Sequence, residues 1–372
     1  MSAFESIASR GGNAVSPDIV LPASVPLELS GEVVRGRICT FVDEAGMEWA
    51  LRPDLTLPVA LTEIDLRRGG VSGETQRYYQ GSVFRLPSLS SEPLEFAQVG
   101  VERFGTPRTA ESDADLYATM CAACQADGVE SGRTTFGDLA LFPGFVDAMD
   151  LSPERASGLK RAFRQEGGVK AYLDAEENGQ GSGLSRRFSG MSRDQIADAV
   201  EDVFAMTGVQ PVGERGTDEI VERLAERAAG PSGDALSPEQ RSGLEAFLSL
   251  EARFEDAADC IAELAKAAGV PSDIDVINHV RHRCDAILKT APEGFLKDAR
   301  FLTEFGRRFT YYDGFVFEIA QFGDAHAAFR PFASGGRYDS LLSGLSSGEV
   351  EATALGGVVL PHRLKAAKGG PA

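Results

Sequence analysis

The sequence predicts an α+β protein in which a β-rich domain is interrupted by a helical insertion. From Gly31 to Phe145, strand-like runs mix with one or two helices. From Ser152 to Thr290 the pattern is almost wholly helical, and strand character returns from Arg300, notably in Phe315–Ala320. A β-rich part split by a helical stretch points to one domain carrying an insertion. The chain has 372 residues; at about 100–200 residues per domain that allows two or three units. Residues 1–150 and 296–372 are therefore expected to form the core, and residues 151–295 the insertion.

Within the first part, Arg37 to Val42 and Met47 to Arg52 are β-rich and flank Asp43-Glu44-Ala45-Gly46, which reads as a hairpin loop. Thr56 to Arg68 reads as a helix with two arginines in its last turn and Gly69 just beyond, where a glycine cap would sit. Ser112 to Ala126 reads as another helix. Ser112 and Asp115 resemble a capping box, and Leu116, Met120, Ala123 and Cys124 form its apolar face. In the helical stretch, Ser152-Pro153 combines a cap with a first-turn proline, and Ser192…Gln195 and Ser237…Gln240 repeat the capping spacing. Polar, glycine-rich joints at Glu176–Gly183 and Gly208–Gly216 separate the helices.

Apolar residues make up 43% of the chain and charged residues 25%, the balance of an ordinary globular protein. No run of about 18 apolar residues is present, so no membrane helix is expected. Met1 to Arg10 has no apolar core of a signal peptide. Cys39, Cys121, Cys124, Cys260 and Cys284 are odd in number and scattered, as expected of reduced cytoplasmic thiols. A formal charge of −19 gives a nucleic-acid backbone no general attraction.

Some motifs have an ordinary explanation. Cys121-x-x-Cys124 sits within an amphipathic helix and has no second ligand pair, so both read as buried core thiols. His279 and His282 share a helix face without an accompanying carboxylate or thiol at ligand spacing, so no metal is expected. Gly179-x-Gly181-x-Gly183 follows a helix and not a strand, which makes it a joint and not a phosphate loop. No cofactor is expected.

The run Glu95 to Phe104 is more informative. As a strand, it places Gln98, Gly100 and Glu102 on one face. Two readings are open: a solvated strand face, or a ligand face with an amide, an anionic acceptor and space at Gly100 between them. Phe96 and Phe104 lie on the same face and should be covered, which weighs against the solvated reading. Other segments could supply partners: Leu51–Thr56, Arg85 at a strand end, Arg307 before Tyr311-Tyr312-Asp313-Gly314, and Gly335-Gly336-Arg337-Tyr338-Asp339. Arginines, carboxylates, a glutamine and tyrosines suit a zwitterion with a polar side chain, such as an amino acid.

These segments resemble histidyl-tRNA synthetases of the class II family. Leu51–Thr56 is similar to the LRPEGT motif, and Tyr78 to Gly105 to class II motif 2. Arg307–Glu318 is similar to RGLDYYTGTVFE, Ala333–Leu341 to AGGRYDGL, and Ala354–Leu364 to motif 3; Val20–Gly31 resembles a weak motif 1. The resemblance implies a class II core, a six-stranded antiparallel sheet flanked by helices, dimerised through the motif 1 region. It also implies a histidine pocket: Glu102 and Tyr312 facing the imidazole, Gln98 and Thr56 the α-amino group, and Arg85 and Arg307 the carboxylate. Tyr311 and Tyr338 match further lining positions, and Asp54 stands where the family has the longer Glu.

The nucleotide half departs from the family. Leu86-Pro87-Ser88 replaces His-Glu-Arg, and Pro93-Leu94-Glu95 after Glu92 replaces the cationic end of the motif 2 loop. In motif 3, Gly356 and Arg363 remain, Leu360 replaces the second glycine, and Pro361-His362 replaces Leu-Glu. Anions opposite a triphosphate repel it, and a leucine fills space that adenine needs. Nine residues follow Arg363, far fewer than the roughly 80–100 of an anticodon-binding domain, so none is expected. Within the family, these features resemble the branch of regulatory subunits that partner the short-form ATP phosphoribosyltransferase in histidine biosynthesis. The resemblance thus implies no catalytic residues and no tRNA. It implies L-histidine as effector and a hetero-oligomer with the catalytic subunit, activated by this chain and feedback-inhibited when histidine binds. The alternatives are a residual histidine-adenylating or histidyl-transfer enzyme, and a scaffold that no longer binds histidine.

Overall fold

The computed structural model describes residues 1–29, 32–88, 92–165, 167–177, 191–207, 221–222, 224–225, 236–306, 311–321 and 331–368. Twelve strands are found among them: β1 (Asn13–Ala14), β2 (Val20–Pro22), β3 (Thr40–Val42), β4 (Glu48–Leu51), β5 (Thr75–Phe84), β6 (Glu95–Phe104), β7 (Arg133–Asp138), β8 (Glu251–Arg253), β9 (Arg300–Leu302), β10 (Phe315–Ala320), β11 (Ala333–Arg337) and β12 (Ala354–Val359). Nine form one sheet in the order β1-β5-β6-β12-β11-β10-β7-β9-β8, and β2-β4-β3 form a second. At the centre of the large sheet, β5, β6, β12, β11, β10 and β7 pair antiparallel throughout, which is the six-stranded core the resemblance implies. At its margins β1 pairs parallel to β5, and β9 parallel to β7.

The two faces of the sheet are assigned by consecutive glycines of β12. A Cβ at Gly357 would lie 2.8 Å from Met120 Sδ, on the helix Ala110–Ala126. A Cβ at Gly356 would instead strike the Glu102 carboxylate and the Tyr338 hydroxyl. One face is therefore roofed by helix and the other carries polar side chains, as strand alternation requires. Leu116, Met120, Ala123 and Cys124 are fully buried under that roof, as their spacing predicts. The helix begins two residues earlier than expected, however. Thr109 is the cap, accepting from the Ser112 N–H at 3.2 Å, so Ser112 takes the role of the capped residue.

The helix Thr56–Arg68 has the expected bounds. Its left-handed glycine is Gly70, with φ of +102°, whereas Gly69 caps from a negative φ. In the β3–β4 hairpin, Asp43 Oδ1 accepts from the Ala45 and Met47 N–H groups at 2.9 Å each, and Gly46 takes φ of +83°. This aspartate-glycine chemistry is what made the turn legible.

The chain divides into two compact units, Met1–Phe145 with Ser242–Ala372, and Val146–Arg241. Residues 242–295, read from sequence with the insertion, thus belong to the first unit. The reason is packing: β8 and β9 extend the large sheet, and the helix Asp275–Thr290 buries Ile277, Val280, Cys284 and Ile287 there. Helical periodicity shows that a face is apolar, not which core it joins. In the second unit, Ser152 caps the helix Pro153–Arg164, and Ser192 with Gln195 and Ser237 with Gln240 make reciprocal capping boxes. The expected joint at Gly208–Gly216, most of that at Glu176–Gly183, and the Gly179–Gly183 run lie outside the described residues.

Candidate functional site

The site is built around Glu102 on the polar face of β6, 1% exposed. Its Oε1 accepts from Thr56 Oγ1 at 2.8 Å and from the Tyr79 hydroxyl at 2.7 Å, and its Oε2 accepts from the Tyr338 hydroxyl. The three donors come from three separate elements: the first residue of a helix, β5, and the turn after β11. Burial raises the Glu102 carboxyl to about 7, the three hydroxyls offsetting part of the rise and nearby Asp54 adding to it. Gly356 makes the arrangement possible, since its Cβ would lie 1.6 Å from Glu102 Oε2.

Gln98, two rungs earlier on the same face, is 3% exposed and accepts the Leu55 N–H on Oε1 at 3.1 Å. The solvated-face reading of β6 is thereby excluded, because both polar groups are buried and bonded. The room at Gly100 has a different use from the one expected. Gly100 pairs with Tyr79 across the strands, and a Cβ there would lie 2.5 Å from the Tyr79 hydroxyl. A tyrosine of the protein fills the space assigned to ligand.

Asp54 is buried in the turn before the helix Thr56–Arg68, where Oδ1 accepts from the Leu57 N–H at 3.1 Å. Burial raises its pKa, the Leu57 N–H and the Arg85 guanidinium opposing it. Arg85 leaves β5, donates Nε to the Pro53 carbonyl at 2.7 Å, and lies 5.5 Å over the Phe96 ring. Arg52, not singled out from sequence, binds the Ser82 carbonyl at 2.8 Å and the Pro17 carbonyl at 2.5 Å, fixing the turn that carries Asp54. Tyr311, Tyr312 and Tyr338 form an aromatic wall, with ring centroids 4.7 to 5.8 Å apart. Asp54, Thr56, Arg85, Gln98, Glu102, Tyr311, Tyr312 and Tyr338 thus gather on one side of the sheet, whereas Arg307 lies outside the described residues.

Tyr79 is the site residue that sequence reasoning missed. Its signal was present: in β5, period two places Tyr79 on the same face as Gly81, opposite Gly100. Thr56 donates its hydroxyl proton to Glu102, and its oxygen keeps lone pairs that can accept from an ammonium group.

On the nucleotide side, the Glu92 carboxylate accepts from Arg37 Nη2 at 2.7 Å, from Ser88 N–H at 3.2 Å and from Ser88 Oγ at 3.0 Å. Arg363 Nη2 lies 3.9 Å from it. Leu360 is buried, Pro361 opens the helix Pro361–Ala367, and the His362 ring lies 5.2 Å from Phe96. Among the described residues no group of three or more His, Cys, Asp or Glu is placed to hold a metal. Cys121 and Cys124 are buried free thiols.

The histidyl-tRNA synthetase family profile matches residues 4–184. A protein of Mesorhizobium japonicum named ATP phosphoribosyltransferase regulatory subunit is 33% identical to this chain, covering 90% of it and 88% of its own length. Proteins of the same name from Chelativorans sp. and Agrobacterium fabrum are 31% and 30% identical, covering 89% and 98% of this chain and 87% and 96% of their own. Among solved structures, an ATP phosphoribosyltransferase regulatory subunit/histidyl-tRNA synthetase from Bacillus halodurans is similar with a TM-score of 0.63 at 21% identity, over 98% of this chain and 76% of that one. Histidyl-tRNA synthetase from Nostoc sp. is similar with a TM-score of 0.58 at 17% identity, over 98% and 69%. These structural likenesses share the fold.

Proposed function

Because the chain belongs to the family of ATP phosphoribosyltransferase regulatory subunits, we propose that it binds L-histidine around Glu102 and conveys occupancy to a separate catalytic subunit. The observation that carries the reading is the Glu102 carboxylate. Each carboxylate oxygen has two lone pairs; Oε1 has both engaged by Thr56 and Tyr79, while Oε2 has one engaged by Tyr338. Among the described residues one acceptor direction remains, in a buried site walled by tyrosines, and an imidazole N–H suits it. In this reading Tyr79 and the Thr56 hydroxyl proton aim Glu102, Gln98 and the Thr56 oxygen meet the α-ammonium with Asp54 beside them, and Arg85 with Arg307 meets the carboxylate.

Binding proceeds without adenylation. By the resemblance to histidyl-tRNA synthetases, Glu92 and Leu360 stand where a triphosphate and a purine need cations and space; Glu92 is paired with Arg37, and Leu360 is buried. The partner is the catalytic subunit that transfers a phosphoribosyl group to ATP, and the chain neither charges tRNA nor contributes catalytic groups. Histidine acts as a coupling between two sites, binding one state of the assembly better than the other. A homodimer contact in the motif 1 region, Val20–Gly31, belongs to the same reading; residues 30 and 31 lie outside the described residues. Exposed Ile19, Val20, Phe41, Val42 and Met47 on and beside the small sheet support it, since apolar clusters of this kind mark interaction surfaces. Among the described residues no helix is long and apolar enough to cross a membrane, and the proposed location is the cytoplasm. Calorimetric titration with L-histidine tests the reading: saturable binding at one site per chain is expected, and the absence of binding by folded protein would overturn it.

A further inference from the structure

Beside the proposed amino-acid pocket lies a charged cluster around Glu92. Arg37 reaches it from the segment before β3, donating Nε to the Leu86 carbonyl at 2.6 Å and Nη2 to Glu92 at 2.7 Å. Ser88 supplies two more donors to the same Glu92 oxygen, and Arg363 approaches the other oxygen from the last helix. Arg85 is close enough to feel the charges of both Arg37 and Glu92. Two guanidiniums and a paired serine N–H and hydroxyl, converging on one anion with a third guanidinium nearby, are the donor set that a phosphate group attracts.

The chain as a whole carries −19, yet here Arg37 and Arg363 meet at Glu92, and Arg85 lies between Asp54 and the same cluster. Burial alone would raise the Glu92 carboxyl, but the Ser88 donors and the Arg37 and Arg363 charges outweigh it and hold the carboxyl below its ordinary value. Glu92 is thus an anion under working conditions, held by at least two cations and a serine. We propose that the Glu92 carboxylate is an internal counter-ion that occupies an anion site beside the amino-acid pocket, and so determines specificity by excluding di- and triphosphates. This rests on the reading of the neighbouring pocket as an amino-acid site. The sequence showed only that an anion replaced cations; the structure adds that this anion is itself paired with the remaining arginines.

The test is calorimetry with inorganic pyrophosphate, and separately with L-histidine, on the full chain and on Glu92→Gln, Glu92→Ala and the double variant Glu92→Ala/Arg37→Ala. The wild type should give no saturable pyrophosphate binding at millimolar concentration. Both single variants should bind it about tenfold more tightly or better, as two charge-assisted partners are released, and the double variant should lose the gain. Glu92→Gln keeps the side-chain shape, so a folded variant is available even if Ala disturbs the loop. The proposal is overturned if wild type binds pyrophosphate as well as the variants do, if folded Glu92→Gln and Glu92→Ala gain nothing, or if the gain survives loss of Arg37. Histidine affinity should stay within about threefold in the single variants, since none of the pocket bonds is touched. If no sample binds histidine, the amino-acid reading fails by itself, and the pyrophosphate result still decides the role of Glu92.

Discussion

Replacing Glu102 with glutamine alters one atom type at the centre of the site and has two separable consequences. Two hydroxyls converge on Oε1, a third donates to Oε2, and the remaining direction of Oε2 is the one proposed for the ligand. An amide keeps one accepting oxygen, which Thr56 and Tyr79 will claim, and turns its NH₂ towards the ligand. The ligand N–H then meets a donor. Loss of one charge-assisted hydrogen bond costs about 1.5–3 kcal/mol, so histidine should bind about ten- to a hundredfold more weakly. The second consequence concerns the unliganded protein. Glu102 has its carboxyl raised from 4.5 to about 7 by burial, so the folded state holds the proton more tightly than the unfolded chain does. Its contribution is favourable at low pH and is lost as pH rises from about 4.5 to 7, amounting to roughly 3 kcal/mol at most. The amide of the variant cannot titrate. Glu102→Gln should therefore lose less stability than wild type between pH 5 and pH 8, by up to about that amount. Calorimetry with histidine and urea melts at several pH values read the two effects independently. Unchanged histidine affinity in a folded variant would show that the ligand lies elsewhere. A stability difference that does not vary with pH would refute the buried, titrating carboxylate.

Three other perturbations follow from the same geometry. Tyr79→Phe removes a donor that lowers the Glu102 pKa, so the midpoint of its stability change should move to higher pH, and histidine affinity should fall by up to about tenfold, both readable by melts and calorimetry across pH. Gly356→Ala puts a methyl 1.6 Å from Glu102 Oε2, which must displace the carboxylate; a cost of about 1–3 kcal/mol in stability and loss of histidine binding are expected by thermal melting and titration. Histidine-dependent exchange of labelled pyrophosphate into ATP should not exceed the protein-free control, and exchange above it would restore the adenylating alternative.

Much of the fold could be read in the chain because its local chemistry is explicit. Thr56–Arg68 is closed by arginines and glycine, and Phe315–Ala320 is a short, mostly apolar run after a glycine turn. Alternation in Glu95–Phe104 placed Gln98 and Glu102 on one face, and that face is the floor of the site. What escaped was pairwise. Neither Tyr79 nor Gly100 has meaning alone; the tyrosine is a site residue because the register of β5 on β6 sets it against a glycine. The same holds for Glu92, whose sequence position suggested repulsion of a phosphate but not its partnership with Arg37. The limits of the helical insertion were misplaced because an amphipathic helix such as Asp275–Thr290 records the presence of a core and not its address.

The central claim is that this chain reads histidine for a catalytic partner. Its most direct test is the rate of phosphoribosyl transfer to ATP by a catalytic subunit from the same cell, measured with wild-type chain or with Glu102→Gln while histidine is titrated. The account predicts that either chain raises the rate without histidine, and that the variant requires about ten- to a hundredfold more histidine for the same inhibition. A catalytic subunit whose rate is indifferent to the chain, or one inhibited equally with both, would contradict it.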